Sequence, residues 1–185
     1  MSKIDRLLQR YDDLVTLPWS ATDAGPQRVW LVVYDKADER RIRVRLTEFE
    51  TATKKAGHTW IPVDLTDAFA RWMGTQDYRE AYFAEPDTLA MKLPRFHAWL
   101  VDQVRGELAS PDAAHGVVAL SGVAALFGLA RVSGLVNDLA PHIRGRMVVF
   151  FPGSREENNF HLLDARDGWN YHAVAITAHD ETEVA

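Results

Sequence analysis

Three uninterrupted apolar runs constrain the fold of this chain more strongly than any other feature of its sequence. They occupy residues 29–34, 117–120 and 147–151 and are rich in β-branched and aromatic side chains. A strand that is apolar at every position has to be buried on both faces, which is typical of a parallel sheet covered by helices. The less uniformly apolar segments 58–63, 162–164 and 171–177 predict further strands, the last of them at an edge. Pro152-Gly153 predicts the end of the strand at 147–151.

Segments with apolar residues at helical spacing precede and separate these runs, at 4–15, 42–56, 69–73, 96–108 and 132–139. Asp35 is a predicted N-cap, Gly57 a predicted helix stop, and Pro86 and Pro94 predicted helix starts. The alternation predicts an α/β fold: a single domain over residues 1–178, with a mostly parallel five-stranded sheet flanked by helices in a Rossmann-like three-layer arrangement. Residues 179–185 are predicted to be a disordered acidic tail.

The composition narrows the function classes. The 185 residues include 21 basic and 26 acidic side chains, for a net charge of −5, which disfavours broad electrostatic binding to DNA. Cysteine is absent, so disulfides, thiolate metal sites and a cysteine nucleophile are excluded. A charged N-terminal stretch and the lack of any apolar run near ~20 residues predict a cytoplasmic protein that does not enter the membrane.

Residues 120–128 follow a predicted strand and precede a helical segment, where a phosphate-binding loop would lie. Gly122 and Gly128 are one residue too far apart for a P-loop, and Leu129 stands where its lysine would be. We therefore interpret both glycines as residues that permit tight turns and close helix–sheet packing. Ser121 is the position that an acyl-transfer site would use, but no histidine and acid are tied to it, and a turn serine is the favoured interpretation.

The sequence predicts neither catalytic nor cofactor-binding nor metal-binding residues. The seven histidines form no metal-binding motif, although His161 and Asp164 could join a site with Asp167. The densest polar stretch is 151–171, just after a predicted central strand, where open α/β sheets meet ligands and partners. Within it we predict a partner-binding surface, with the alternative that the segment is only an ordered loop whose tryptophan packs on the sheet. The residues assigned to that surface are Arg155, Asn158, Asn159, Arg166 and Trp169.

For two other clusters of residues we favour a structural role over a functional one. The arginine run Arg40, Arg41, Arg43 and Arg45 is interleaved with acids, so we expect a mixed solvated helix face. Tyr78, Tyr82 and Phe83 are predicted to contact the core, with a partner surface as the alternative.

Six stretches of the sequence resemble the BrxB family, a component of bacterial BREX anti-phage systems. They are QRVW (27–30), YDK (34–36), VDLTDAF (63–69), YREAYF (78–83), GRMVVFFPG (145–153) and LLDARDGWNY (162–171). The resemblance extends from about residue 4 to residue 177, and the last two stretches are its most specific parts.

The resemblance implies a role and no reaction. BREX systems combine a large ATPase, a PglZ-type protein of the alkaline-phosphatase fold and a PglX-type adenine methyltransferase with small accessory proteins. We therefore expect a non-enzymatic assembly component that binds the PglZ-type and ATPase subunits through strand-end loops. The methyltransferase is a further candidate partner, and contact with DNA would be indirect. One alternative is a nucleotide-responsive switch or enzyme using Ser121, Gly122, Asp164, Arg166 and Asp167. The other is a DNA-binding module using the arginine run at 40–45.

Overall fold

The computed structural model of this chain describes residues 1–165 and 168–179. Its α-helices are α1 (Lys3–Thr16), α2 (Glu39–Lys55), α3 (Ala68–Gly74), α4 (Arg79–Ala84), α5 (Pro86–Ala90), α6 (Leu93–Leu108) and α7 (Val132–Leu139). Its strands are β1 (Val29–Tyr34), β2 (Thr59–Asp64), β3 (Gly116–Ser121), β4 (Arg146–Glu156), β5 (Asn159–Leu162), β6 (Trp169–Asn170) and β7 (Val174–Ile176). The predicted tail at 179–185 lies outside the described residues except for His179, whose carbonyl accepts a hydrogen bond from Arg10 Nη1 at 2.8 Å.

The sheet is mixed. Five strands run parallel in the order β2-β3-β4-β1-β7, while β5 pairs antiparallel with β4 and β6 pairs antiparallel with β5. The α/β class and the flanking helices are confirmed. The prediction of five strands in a mostly parallel sheet is only partly right, because it contains no antiparallel pairing. The short strand predicted at 162–164 is also misplaced, since β5 occupies Asn159–Leu162.

The omission has its origin at Pro152-Gly153, where the predicted strand end is wrong. Pro152 is still in register with Tyr34 of β1, and from Gly153 onward β4 takes β5 as its partner. A Cβ atom on Gly153 would collide with the carbonyl oxygen of His161, so this glycine serves a close approach of two strands and not a turn. The extension formed by residues 153–156 of β4 with β5 and β6 is called the hairpin below.

Helices cover both faces of the parallel strands. On one face α1 and α2 pack against Trp30, Val32 and the alternate residues of β3 and β4. On the other face α3, α6 and α7 pack against Leu31, Val33 and the remaining strand residues. Because successive strand side chains point to opposite faces, both sets must be apolar, which accounts for the continuous runs in the sequence.

The connection between β2 and β3 contains a helix that the sequence does not predict. Pro86 and Pro94 begin helices as predicted, α5 and the first turn of α6. Residues 79–84 add α4, and neither α4 nor α5 buries a residue. Helices of five or six residues that bury no side chain fully have no sustained apolar stripe, so hydrophobic periodicity does not reveal them.

Candidate functional site

The hairpin carries the residues predicted to bind a partner. A two-residue turn joins β4 to β5 with Glu157 at φ 52°, and Asn158 and Asn159 lie exposed there. Trp169 of β6 lies opposite Phe160 of β5. The structure thus brings four of the five predicted residues onto one hairpin, and the fifth, Arg166, lies outside the described residues.

Trp169 packs against the core, as the ordered-loop alternative expects, and its partner-binding role stays a prediction. Its half-buried ring stacks on Tyr171 with centroids 4.6 Å apart and lies 5.9 Å from the ring of Phe160. It therefore packs on the edge of the core, while one side of it lines an open cleft. Arg155, half-buried, places its guanidinium carbon 5.8 Å from the centre of the Phe160 ring, so it supports the hairpin from within.

The cleft has a volume of about 710 Å³ and lies between the hairpin, the start of α6 and the segment 127–134 that leads into α7. Its walls are mainly apolar. Its lining comprises Ala90, Leu93, Pro94, His97, Phe127, Gly128, Leu129, Ala130, Arg131, Val132, Ser133, Gly134, Phe151, Phe160, Leu162, Ala165, Gly168 and Trp169. A concave apolar surface with few polar groups is typical of binding sites.

Local chemistry explains how two walls of the cleft are placed. Gly128 adopts φ +78°, which turns the chain between Phe127 and α7. His97 on α6 bonds Asp138 on α7 through Nε2 and Oδ2 at 2.8 Å, and thereby ties the two helices together. A side chain at Gly134 would come within 3.3 Å of the His97 ring, so the small residue allows this contact.

Phe127 lies in the cleft wall with 52% of its surface exposed. A solvent-exposed aromatic side chain beside an apolar cleft is typical of an interaction surface. The sequence interpretation placed Phe127 between two turn glycines and assigned it no role. Its exposure depends on how α6 and the hairpin flank it, so no local signal identifies it.

A second polar cluster lies at the ends of β2 and β3. Asp64 Oδ1 accepts hydrogen bonds from the backbone N–H of Thr66 at 2.9 Å and from its hydroxyl at 2.6 Å, and lies 3.2 Å from Arg43 Nη2. Partial burial raises the pKa of Asp64, but the Thr66 hydrogen bonds and the Arg43 charge outweigh it, and the pKa lies below its ordinary value. The Asp64 carboxylate, Thr66 and the Arg43 guanidinium thus serve as hydrogen-bond and charge partners for one another.

Gly122 fits against this cluster, and Ser121 is its neighbour. Gly122 adopts φ +72°, and a Cβ atom on it would collide with the Thr66 hydroxyl. The interpretation of Gly122 as a tight-turn and close-packing residue is therefore correct. For Gly128 only the turn applies, because a Cβ atom there would meet nothing within 4 Å.

Of the remaining members of the predicted enzyme or switch cluster, the structure describes only Asp164. Asp164 forms an exposed ion pair with Lys36, which follows β1. Arg166 and Asp167 lie outside the described residues. Among the described residues, no group of three or more His, Asp or Glu side chains is placed to hold a metal ion, and His161 Nδ1 lies 3.2 Å from the carbonyl oxygen of Ala165.

Three residues of the arginine run are engaged by neighbouring acids. Arg41 pairs with Asp38 at 3.2 Å, Arg43 with Glu39 at 3.2 Å, and Arg45 with both Glu48 at 2.7 Å and Asp5 at 2.6 Å. The expected mixed face of α2 is what the structure shows. Much of its positive charge is thus compensated locally.

The aromatic residues before and within α4 are more exposed than predicted. Only Tyr82 packs partly against the core, whereas Tyr78 and Phe83 are exposed. The expected core contact is wrong for those two residues, because α4 buries no residue and leaves both side chains exposed to solvent.

Comparison with known families decides the affiliation of the chain. The family model described as BREX protein BrxB matches residues 79–176. The chain belongs to the BrxB family. A BrxB-family member is a component of a BREX defence system, as the resemblance in the sequence led us to expect. No curated protein and no solved structure matches the chain.

The matched part of this BrxB-family chain contains every residue that lines the cleft, together with α4, α5 and the hairpin. The helices α1 and α2 and the strands β1 and β2 precede it. Of the helices in the described part of this BrxB-family chain, none has the length and apolar character needed to cross a bilayer.

Proposed function

We propose that this chain is a non-enzymatic assembly component of a BREX complex and acts in the cytoplasm. In this proposal it binds the PglZ-type protein and the ATPase through the loops at the carboxyl ends of its strands. A PglX-type methyltransferase is a further candidate partner, and any contact with DNA is indirect. Membership of the BrxB family supports the BREX context.

The single observation that carries the proposal is the apolar cleft beside the hairpin. Its walls include the exposed ring of Phe127 and the half-buried ring of Trp169. Rings of this kind, set in a concave surface, are the residues on which protein interfaces depend most. Asn158 and Asn159, exposed at the tip of the hairpin, would supply polar contacts at the rim.

Co-purification tests the proposal. The tagged chain is expressed with its operon neighbours and washed at moderate salt, and we expect the PglZ-type and ATPase subunits to be retained. Phe127→Ser should reduce retention at least about tenfold, because it removes an exposed aromatic contact while disturbing little of the core. Val44→Ser on α2 is the matched control, since Val44 is 80% exposed on the opposite face.

Two results would contradict the proposal. The chain could retain no neighbour at all, which would remove the assembly role. Alternatively, Phe127→Ser could retain as much partner as Val44→Ser, which would move the interface away from the cleft. Thermal unfolding of both variants tests whether a loss of partner retention is caused by unfolding.

A second function has one observation in its favour. The volume of the cleft lies within the ~300–1,000 Å³ range of small-molecule sites, so a nucleotide-responsive switch or an enzyme is the alternative. Thermal shifts with ATP, GTP and divalent metal ions distinguish the two. A bound ligand stabilises the folded state by mass action, so a concentration-dependent shift would favour the alternative.

The DNA-binding alternative has less support, because three arginines of the 40–45 run pair with acids. If that run bound DNA, gel shifts would weaken steeply with salt and Arg41→Glu with Arg43→Glu would abolish them. We expect neither effect.

A further inference from the structure

The segment 77–91, which contains α4 and α5, exposes large apolar side chains to an unusual degree. Tyr78 is 74% exposed, Phe83 66% and Met91 82%. These three lie within 15 residues of sequence. Phe83 is in α4, Tyr78 is the residue before α4 and Met91 is the residue after α5, and the two helices contact each other. Their concentration on one short segment is typical of an interaction surface, because isolated exposed apolar residues scatter over a monomer.

The segment is held on the domain by other residues. Tyr82 and Leu89 are partly buried and pack against the core. Since these two side chains provide the attachment, Phe83 and Met91 are not needed for it. The exposed side chains are therefore available to a second molecule.

The charges around these side chains indicate the kind of molecule. The segment 77–91 carries four acidic residues and one basic residue. In the described ranges 1–165 and 168–179, none of the four acids forms an ion pair, in contrast to the acids of α2. The acids are Asp77, Glu80, Glu85 and Asp87.

We propose that the segment 77–91 docks into an apolar groove of a partner protein whose borders carry lysine and arginine. Phe83, Tyr78 and Met91 fill the groove, and the acidic side chains meet its basic borders. Apolar contacts supply most of the affinity in such an interface, and complementary charge sets the orientation and the rate of association. The inference rests on the proposed assembly function but uses these three side chains and the four acids, none of which lines the cleft.

The two surfaces are close enough to serve one large partner or two. Ala90 at the end of α5 and Leu93 at the start of α6 both line the cleft. Met91 lies between them in the sequence and faces solvent. The segment 77–91 thus continues one border of the cleft outward.

The experiment uses each operon neighbour that the wild-type chain retains, purified and titrated with the full chain at low and high salt. Tyr78→Ser with Phe83→Ser tests the apolar contact, and Leu17→Ser with Val44→Ser is its control, because these two residues are also exposed. Glu85→Lys with Asp87→Lys tests the charges. Asp13→Lys with Glu107→Lys is its control, because it changes the net charge equally at exposed sites elsewhere.

We expect each test pair to raise the Kd at least about tenfold and each control pair to leave it within about twofold. The Kd of the wild type should also rise more steeply with salt than that of the Glu85→Lys, Asp87→Lys variant.

Other outcomes overturn the inference. If the neighbours are retained but the test pairs bind as the controls do, this surface is not the docking site, while the proposed function stands. If Glu85→Lys with Asp87→Lys strengthens binding, the partner border is acidic. A wild-type dimer that Tyr78→Ser with Phe83→Ser converts to monomer would make a second copy the occupant. If the wild type retains no neighbour, both proposals fail together.

Discussion

The buried guanidinium of Arg146 donates a hydrogen bond to the carboxylate of Asp23, a residue 123 positions earlier in the chain. Arg146 begins β4, and its guanidinium carbon lies 4.8 Å from the ring centre of Trp19 and 5.9 Å from that of Trp30. Burial lowers the pKa of Arg146, while the charge of Asp23 opposes that effect. The pair ties the segment before β1 to the start of β4.

Asp23→Asn should therefore destabilise the protein by about 1.5–3 kcal/mol, because it removes the countercharge of a buried cation. Urea unfolding measures the change. Asp13→Asn removes an exposed carboxylate on α1 and should cost less than about 0.5 kcal/mol. Equal losses in the two variants would show that the Arg146 pair contributes nothing particular to stability.

Two glycines should respond to alanine in opposite ways. A side chain on Gly153 would collide with the backbone carbonyl of His161, so Gly153→Ala should destabilise the protein by about 1–3 kcal/mol. Gly106 lies inside α6 with nothing within 4 Å of an added Cβ atom, so Gly106→Ala should stabilise it by about 0.5–1 kcal/mol. Thermal unfolding of both variants checks the signs. A stable Gly153→Ala protein would argue against the close pairing of β4 and β5.

Asp64 should make the stability depend on pH on the acid side. Its pKa in the folded state lies below the ordinary value of 3.8, so its contribution is present above about pH 4 and is lost as the pH falls through the lowered pKa. The difference in unfolding free energy between the wild type and Asp64→Asn should be largest near pH 6 and shrink toward about pH 2. Urea unfolding across this range measures it, with Asp13→Asn as the reference. A difference that stays constant with pH would mean that the Asp64 charge is not stabilised by folding.

Trp169→Ala separates the recognition role of this residue from its packing role. The ring is half-buried against Phe160 and Tyr171, so we expect a folded protein that is less stable by about 2 kcal/mol, below the 3–5 kcal/mol of a fully buried aromatic residue. Retention of the BREX partner should fall more than this loss of stability explains, and Trp169→Phe should restore part of it. Circular dichroism and co-purification give the two readings. An unfolded Trp169→Ala protein would assign the residue to the core.

The parts of the fold that follow from burial could be predicted, and so could the helix starts set by proline. Asp35 does accept the backbone N–H of Ala37 at 2.8 Å before α2, and Gly57 ends that helix at φ +88°. The hairpin could not be predicted, because Pro152-Gly153 has the local chemistry of a strand end and only the approach of His161 gives Gly153 another role. For the candidate site, the sequence allowed Trp169 to be predicted but gave no signal for Phe127.

The amino-acid sequence by itself determined the layered α/β class, since strands covered on both faces must be apolar throughout, and it carried the stretches that resemble the BrxB family. Only the tertiary structure decided which aromatic residues face solvent. Phe83 and Phe127 are large apolar residues of the kind that usually lie in a core, yet the fold leaves them 66% and 52% exposed. For these two side chains, exposure depends on contacts between segments distant in sequence, and no local pattern indicates it.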